Sequence, residues 1–427
     1  MAAAVGDGGL LERSRRILAG EADLDTHPFA VGGVGEAVGD DVFFVPSFAN
    51  VAALRTRDGL VVVDTGSREL SGSAHEQLRG WTDAPVSTVV FTHGHIDHVF
   101  GVERYEAEAD EAGRPRPVVV AHEALPARFD RYRLTAGYNG VINGRQFRMP
   151  GYQWPTAYRY PDRTYRDELV LDVGGRRVEL HHGRGETDDA TWVWVPDERT
   201  LFAGDFVIWS VPNCGNPQKV QRYPLEWAVA LRRMASLDAE VLLPGHGLPV
   251  AGAAAVRTVL TDAAALLESL CQQTLDLMNE GATLDRILTA VRPPADLIDR
   301  PWLRPVYDEP EFVVRNLWRL YGGWWDGNPA RLKPAPDAAV AEEVAALAGG
   351  TGVLVDRARA LLAAGDERSL RLAGQLAEWA AQVAPADATA ADVRAEVAEA
   401  RVAVERSLMA KGVFSWTAVE SRRSTGS

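Results

Sequence analysis

Three imidazoles and a carboxylate fall within six residues, at His93, His95, Asp97 and His98, inside the run Phe91-Thr92-His93-Gly94-His95-Ile96-Asp97-His98-Val99-Phe100-Gly101. The run follows an apolar, β-branched stretch from Val86 to Phe91 that reads as a strand delivering the loop to one rim of a sheet. In so short a loop the four side chains must point in different directions, so no single ion takes all of them. Two adjacent ions can divide them, and imidazole with carboxylate suits zinc or a similar divalent metal. A stray histidine usually sits on the surface or in a satisfied hydrogen-bond network. Four ligand-type residues this close together are not explained that way.

Two ions need about three protein ligands each, with room left for water and substrate. The further candidates stand at predicted strand ends: Glu186 in Gly185-Glu186-Thr187, Asp205 in Ala203-Gly204-Asp205, and His246 in Pro244-Gly245-His246-Gly247. Each follows a glycine, which lets the backbone turn sharply enough to aim a side chain inward. Singly, each also fits a turn or cap, and His181 or His182 is the alternative ligand to Glu186. Such a centre activates water for hydrolysis, and it is itself indifferent to the leaving group.

The spacing His-x-His-x-Asp-His resembles the metal motif of the metallo-β-lactamase-fold hydrolases, and the later candidates follow in the order of that superfamily's ligand loops. Most of the superfamily carries Gly-His-Thr where this chain has Gly185-Glu186-Thr187; a glutamate there is similar to the alkyl sulfatase branch. Downstream, the run from Arg304-Pro305-Val306-Tyr307-Asp308-Glu309-Pro310 to Gly327-Asn328-Pro329 resembles the signature of the helical dimerisation region of alkyl sulfatases. The similarity extends from Ser47 to about residue 415. The expectation is a protein without the sterol-carrier-like C-terminal domain of larger members.

The resemblance implies a ligand set: His93, His95 and Glu186 for one ion; Asp97, His98 and His246 for the other; Asp205 between them. Asp97 and Asp205 are then the carboxylates at the reacting centre, and Asp64 of Asp64-Thr65-Gly66 supports the loop from behind. Asn213 matches an asparagine of the family's sulfate pocket. The pocket arginine has no clear counterpart, because Gln218 falls near its place, and Lys219 or Arg222 is left to substitute. The implied activity is cleavage of a sulfate ester by metal-activated water. Alternatives are hydrolysis of a thioester, lactone or phosphoester, or a non-catalytic dimeric scaffold. Zinc is favoured by the imidazoles, while the carboxylates also suit manganese or iron.

Alternating strand and helix patterns surround these residues, and the expected fold class is α/β; the resemblance implies a metallo-β-lactamase αββα sandwich over 1–251, followed by an all-α helical dimerisation domain over 252–427, with a subdivision near 335. Strands are predicted at Val42–Val45, from 51 to 54, 60 to 64, 86 to 91 and 117 to 121, then at Glu168–Val173, Arg176–His182, from 190 to 195, from 200 to 204 and from 240 to 244. His122, after one of them, is read as a structural histidine. The stretch from 125 to 166 shows little periodicity and is rich in Tyr, Arg, Asn, Gly and Pro, which predicts an irregular lid or substrate wall, with Tyr138 and Asn139 as substrate contacts. Helices alone follow residue 252, the last predicted over about 388–410, with a frayed tail from Arg422.

The chain has 427 residues, 46% of them hydrophobic and 24% charged, with a formal net charge of -14. That length predicts two domains. The acidic balance argues against a nucleic-acid surface, which needs a basic stripe. Two cysteines, Cys214 and Cys271, make no disulfide framework. The N-terminus lacks the basic-then-apolar pattern of a secretory signal, and no run of about 18 apolar residues spans a membrane. The expectation is a cytoplasmic homodimer acting on a small-molecule ester.

Overall fold

The computed structural model describes residues 8–24 and 26–424, and these divide into two compact units. The first comprises residues up to 136, 155–281 and 286–323; the second comprises 137–154, 282–285 and 324 onward.

The first unit is built on two sheets, of seven and six strands. In the larger sheet the strands follow chain order, and Gly59–Val63, Val86–Val90, Val118–His122 and Arg163–Tyr165 run parallel to one another. Parallel neighbours need crossovers, and the helices Ser71–Trp81 and Val102–Glu111 supply two of them. Gly59–Val63 is buried along its whole length, as its unbroken apolar sequence requires of a strand covered on both faces. The edge strand Glu168–Val173 of the second sheet instead mixes exposed and buried positions.

The parallel arrangement fixes where the functional loops emerge. Asp64 and the 92–98 loop leave adjacent parallel strands at their C-terminal ends. In the second sheet Thr200–Gly204 pairs in parallel with Val241–Pro244, Gly204 opposite Pro244, so Asp205 and His246 leave side by side. Thr191–Val195 is antiparallel to Thr200–Gly204, which returns the loop holding Glu186 to that same end. A hydrogen bond from Thr191 N to Thr92 O, 2.7 Å, ties the rims of the two sheets together.

The stretch from 125 to 166 differs from the expected irregular lid. It opens with two helices, Leu125–Leu134 and Ala136–Phe147, and only the part up to the strand Arg163–Tyr165 is irregular. Asn and Gly weaken the helical signal of the second helix, yet tertiary packing demands small residues there. A Cβ on Gly140 would stand 2.8 Å from Tyr152 O, and one on Gly144 would stand 2.9 Å from Met149 O.

The second unit includes the helices Asp337–Ala348, Thr351–Ala364, Glu367–Val383, Ala388–Val404 and Leu408–Ser424. Alanines at 345, 358, 373, 377, 380 and 390 are buried in its core, so the helices approach closely. The last long helix predicted over 388–410 is two helices, broken at Glu405, whose ψ of 145° is extended. Ser407 Oγ then accepts the Ala410 N–H at 3.4 Å to start the second, which carries Arg422 and Arg423 within it; residues 425–427 lie outside the described part. Among the described residues no single helix is long and apolar enough to cross a membrane.

Candidate metal centre

All seven residues expected as ligands converge at the shared rim of the first unit, in three groups: His93, His98 and Asp205; Asp97, His98 and His246; His95, Glu186 and Asp205. Within each group the donor atoms lie within 4.8 Å of one another. The pairwise spacings are informative. His98 Nε2 stands 3.3 Å from Asp205 Oδ1, His246 Nε2 3.4 Å from the same oxygen, and both imidazoles 3.6 Å from Asp97 Oδ2. His93 Nε2 is 3.6 Å from Asp205 Oδ2, and His95 Nδ1 is 3.7 Å from Glu186 Oε1. Hydrogen bonds are shorter than this, whereas donors at 2.0–2.2 Å from one tetrahedral ion stand about 3.3–3.6 Å apart. His93 Nε2 and His95 Nδ1 are closer, at 2.8 Å.

The unused hydrogen-bonding capacity points the same way. His98 Nε2 and Asp205 Oδ1 are buried and have no hydrogen-bond partner, a cost that a bound cation removes. The residues therefore fit bound metal.

A layer of hydrogen bonds behind the donors orients them. Asp64 Oδ2 lies 2.7 Å from His98 Nδ1 and accepts Thr92 Oγ1–H at 2.7 Å, while its Oδ1 accepts Thr92 N–H at 2.8 Å. Thr92 Oγ1 is 3.0 Å from His93 Nδ1, and His246 Nδ1 faces Phe48 O. In each case the second ring nitrogen is left for the centre, the arrangement that fixes metal-binding tautomers. Asp64 takes a φ of 58° to do this, a conformation Asp tolerates better than most residues.

Electrostatics divide the cluster. Burial drives the His93 and His95 pKa values well below the ordinary imidazole range, with neighbouring cationic groups adding to it. Burial acts on His98 and His246 in the same direction, but Asp205, with Asp64 and Asp97 at His98 and Asp97 at His246, outweighs it and raises both. Burial also lifts the Glu186 carboxyl, Arg222 opposing and Asp205 adding to the rise. The pocket thus concentrates carboxylates that call for positive charge.

One close approach is indispensable. A Cβ on Gly245 would stand 2.0 Å from Asp205 Oδ1 and 2.8 Å from Gly204 C. Gly245→Ala is expected to displace the Asp205 carboxylate, lowering metal affinity at least about tenfold and stability by about 1–3 kcal/mol, as read by competitive chelator titration and thermal denaturation.

Family models match the chain in two places: the metallo-beta-lactamase superfamily over residues 45–246, and alkyl sulfatase dimerisation over residues 283–424. Both matches make the chain similar to the alkyl sulfatase branch of the metallo-β-lactamase superfamily. It is similar to the linear primary-alkylsulfatase of Pseudomonas sp. (strain ATCC 19151), 29% identical over 363 residues, covering 79% of this chain and 67% of that protein. A second relative is the (R)-specific secondary-alkylsulfatase of Pseudomonas sp., 27% identical over 350 residues, 75% of this chain and 52% of that one. The chain thus spans about two thirds of the first relative and half of the second. The fold is shared with the stereoselective inverting sec-alkylsulfatase Pisa1 from Pseudomonas sp., at a TM-score of 0.83 and 23% identity, over 97% of this chain and 70% of that one.

Beside Glu186, Asn213 and Arg222 are both buried. Asn213 Nδ2 donates to Glu186 Oε1 at 2.5 Å, and Arg222 Nη1 donates to the same oxygen and, at 2.5 Å, to Asn213 O. Arg222 Nε and Asn213 Oδ1 remain buried and unpaired. Lys219 is half-buried, and burial with the nearby Arg222 brings its pKa down to about 7. Tyr138 and Asn139 lie in the second unit on the helix Ala136–Phe147, Tyr138 exposed and Asn139 buried with its carbonyl accepting from Asn143 Nδ2 at 2.7 Å. His122 stacks on His182 at 3.8 Å and His181 on Trp192 at 4.1 Å; among the described residues none of the three joins a ligand group.

Two supports were not foreseen from the sequence. Asp189, fully buried, accepts Gly94 N–H at 2.9 Å and Arg128 Nε–H at 2.7 Å, pinning the backbone between His93 and His95. The acidic pair Asp188-Asp189 just after Glu186 was the only available hint. Asp308, also fully buried, accepts the amides of Gly215 and Glu309 at 2.5 and 2.7 Å. Burial pushes its pKa up to about 7, the two amides and Arg222 pulling the other way. A carboxyl raised in this way favours the folded state below the unfolded pKa near 3.8, and that contribution disappears as pH rises to about 7. The stability of the protein relative to its Asp308→Asn variant should therefore fall by at most about 4 kcal/mol between pH 4 and pH 8, measured by denaturant titration of both proteins at each pH.

Proposed function

We propose that the protein is a metal-dependent hydrolase of sulfate esters, with two divalent ions held by His93, His95 and Glu186 and by Asp97, His98 and His246, and with Asp205 reaching both. The carrying observation is the carboxylate at 186, set among the histidines and joined to Asn213 and Arg222. The named alkylsulfatase relatives support the same reading. Divalent ions at such a centre supply Lewis acidity and make water a nucleophile near neutral pH.

The remaining work falls to this chain's own side chains. Arg222 and the Asn213 amide face the anionic end of the substrate, and the unpaired Arg222 Nε–H offers a charge-assisted hydrogen bond to a sulfate oxygen. Lys219 adds a cation whose proton is held loosely enough to be given up near neutrality. Asp64, Thr92 and Asp189 hold the donors still, so little reorganisation accompanies the reaction. The match to the dimerisation family suggests that the working form is a homodimer.

Sulfate release from short and long alkyl sulfates, measured beside a thioester, a lactone and a phosphodiester, tests the assignment. Turnover of the sulfates above a metal-stripped control supports it. Turnover of another ester alone, with no sulfate released, removes it.

A further inference from the structure

The loop from Asp205 to Tyr223 carries Asp205, Asn213, Lys219 and Arg222, yet it contains no helix or strand. Something other than its own backbone ladder must hold it. Part of that support comes from the segment 304–316, which lies inside the region matched to dimerisation.

The contacts run along the loop. Val211 N and Ser210 Oγ donate to Arg304 O at 3.3 and 3.0 Å, and Tyr307 N donates to Ser210 Oγ at 3.3 Å. Gly215 N donates to Asp308 Oδ2 at 2.5 Å. Gln221 Nε2 donates to Asn316 Oδ1 at 3.0 Å, and Asn316 Nδ2 returns a bond to Arg222 O at 3.1 Å. Contact at Gly215 is so close that a Cβ would lie 2.3 Å from Val313 N. The segment also backs His246: Phe29 packs 4.1 Å from the His246 ring and 4.2 Å from Tyr307.

Asp308 is a fully buried carboxyl in this seam. Its carboxylate takes the Gly215 amide two residues beyond Asn213, and its charge acts on the Arg222 guanidinium. That carboxyl oxygen is the acceptor for the Gly215 amide, midway along the loop, so the contact fixes the backbone beside Asn213.

We propose that Asp308 is a positioning residue: through Gly215 it fixes the loop that presents Asn213 and Arg222, so a segment matched to dimerisation sets the geometry of the anion-binding end of the site. The inference rests on the sulfate-ester reading for its kinetic arm. Its exchange arm stands without that reading.

The test uses the full-length, metal-loaded protein with Asp308→Ala and Asp308→Asn. In the alanine variant, amide hydrogen exchange across 209–222 should accelerate at least about tenfold while the two sheets keep their protection. The inhibition constant of inorganic sulfate and the KM of an alkyl sulfate should rise about tenfold or more, with kcat within about threefold and metal content unchanged. Asparagine, which keeps one acceptor, should recover part of both effects. Unchanged exchange over 209–222, acceleration spread equally over both sheets, or asparagine behaving as alanine would each overturn the proposal. If the wild-type protein releases no sulfate, the sulfate-ester reading fails by itself, and exchange together with sulfate binding by calorimetry still decides the role of Asp308.

Discussion

Glu186→Ala is expected to lower the affinity for one of the two proposed ions at least about a hundredfold and to reduce turnover in step, because removing a direct ligand costs more than the 10–100-fold typical of a supporting partner. The effect has two physically distinct parts. The carboxylate is one of three donors in its group with His95 and Asp205. It is also the acceptor for Asn213 Nδ2 and Arg222 Nη1, both buried. Alanine leaves that guanidinium without its carboxylate, a destabilisation of about 3–5 kcal/mol for a buried pair broken on one side. Glu186→Gln separates the two, since its amide oxygen still accepts from Asn213 but supplies no charge. Glutamine should recover part of the thermal stability and little of the metal affinity. Metal content by mass spectrometry, with denaturation curves of both variants, reads each part. Retention of both ions and full turnover in the alanine variant would place the reactive centre elsewhere.

Arg222→Met should have the next largest effect, and a different one. The guanidinium is almost fully buried, and its Nε–H has no partner. Truncating one side of a buried, charge-assisted hydrogen bond to a bound partner costs about 2–5 kcal/mol, so kcat/KM for an alkyl sulfate should fall about 30-fold to 5,000-fold, mainly through KM. Metal content should stay the same, because Arg222 is not among the candidate ligands. Steady-state kinetics with a metal assay on the same preparation makes the comparison. A KM unchanged within about twofold would take the arginine out of the anion pocket.

These two residues mark the division between what was legible in the chain and what was not. Glu186 could be singled out because it follows a glycine in a loop between strands and stands where the resemblance led to a histidine being expected. Arg222 could be narrowed only to a choice with Lys219, since nothing in Gln218-Lys219-Val220-Gln221-Arg222 says which cation turns inward. In the fold Arg222 is buried against Glu186, and Lys219 is half-buried. That outcome depends on the loop's anchorage to Asp308 and Asn316, 93 and 94 residues from their partners. The helices between 125 and 147 were missed for a related reason. Their Gly and Asn content lowers intrinsic propensity, and the close backbone approaches that compensate lie outside any local window.

The sequence by itself determined the chemistry: four ligand-type residues in one loop, a carboxylate at 186, and glycines where strands end. It also determined the α/β pattern, because unbroken β-branched runs and periodic helices are local properties of the chain. Only the tertiary structure decided which polar groups hold that chemistry in place. Asp189 on the Gly94 amide, Asp308 on the Gly215 amide and Arg222 on Glu186 are each set by backbone brought together across 36 to 95 residues. A buried polar group takes whatever partner the fold delivers to it, and no local pattern records that delivery.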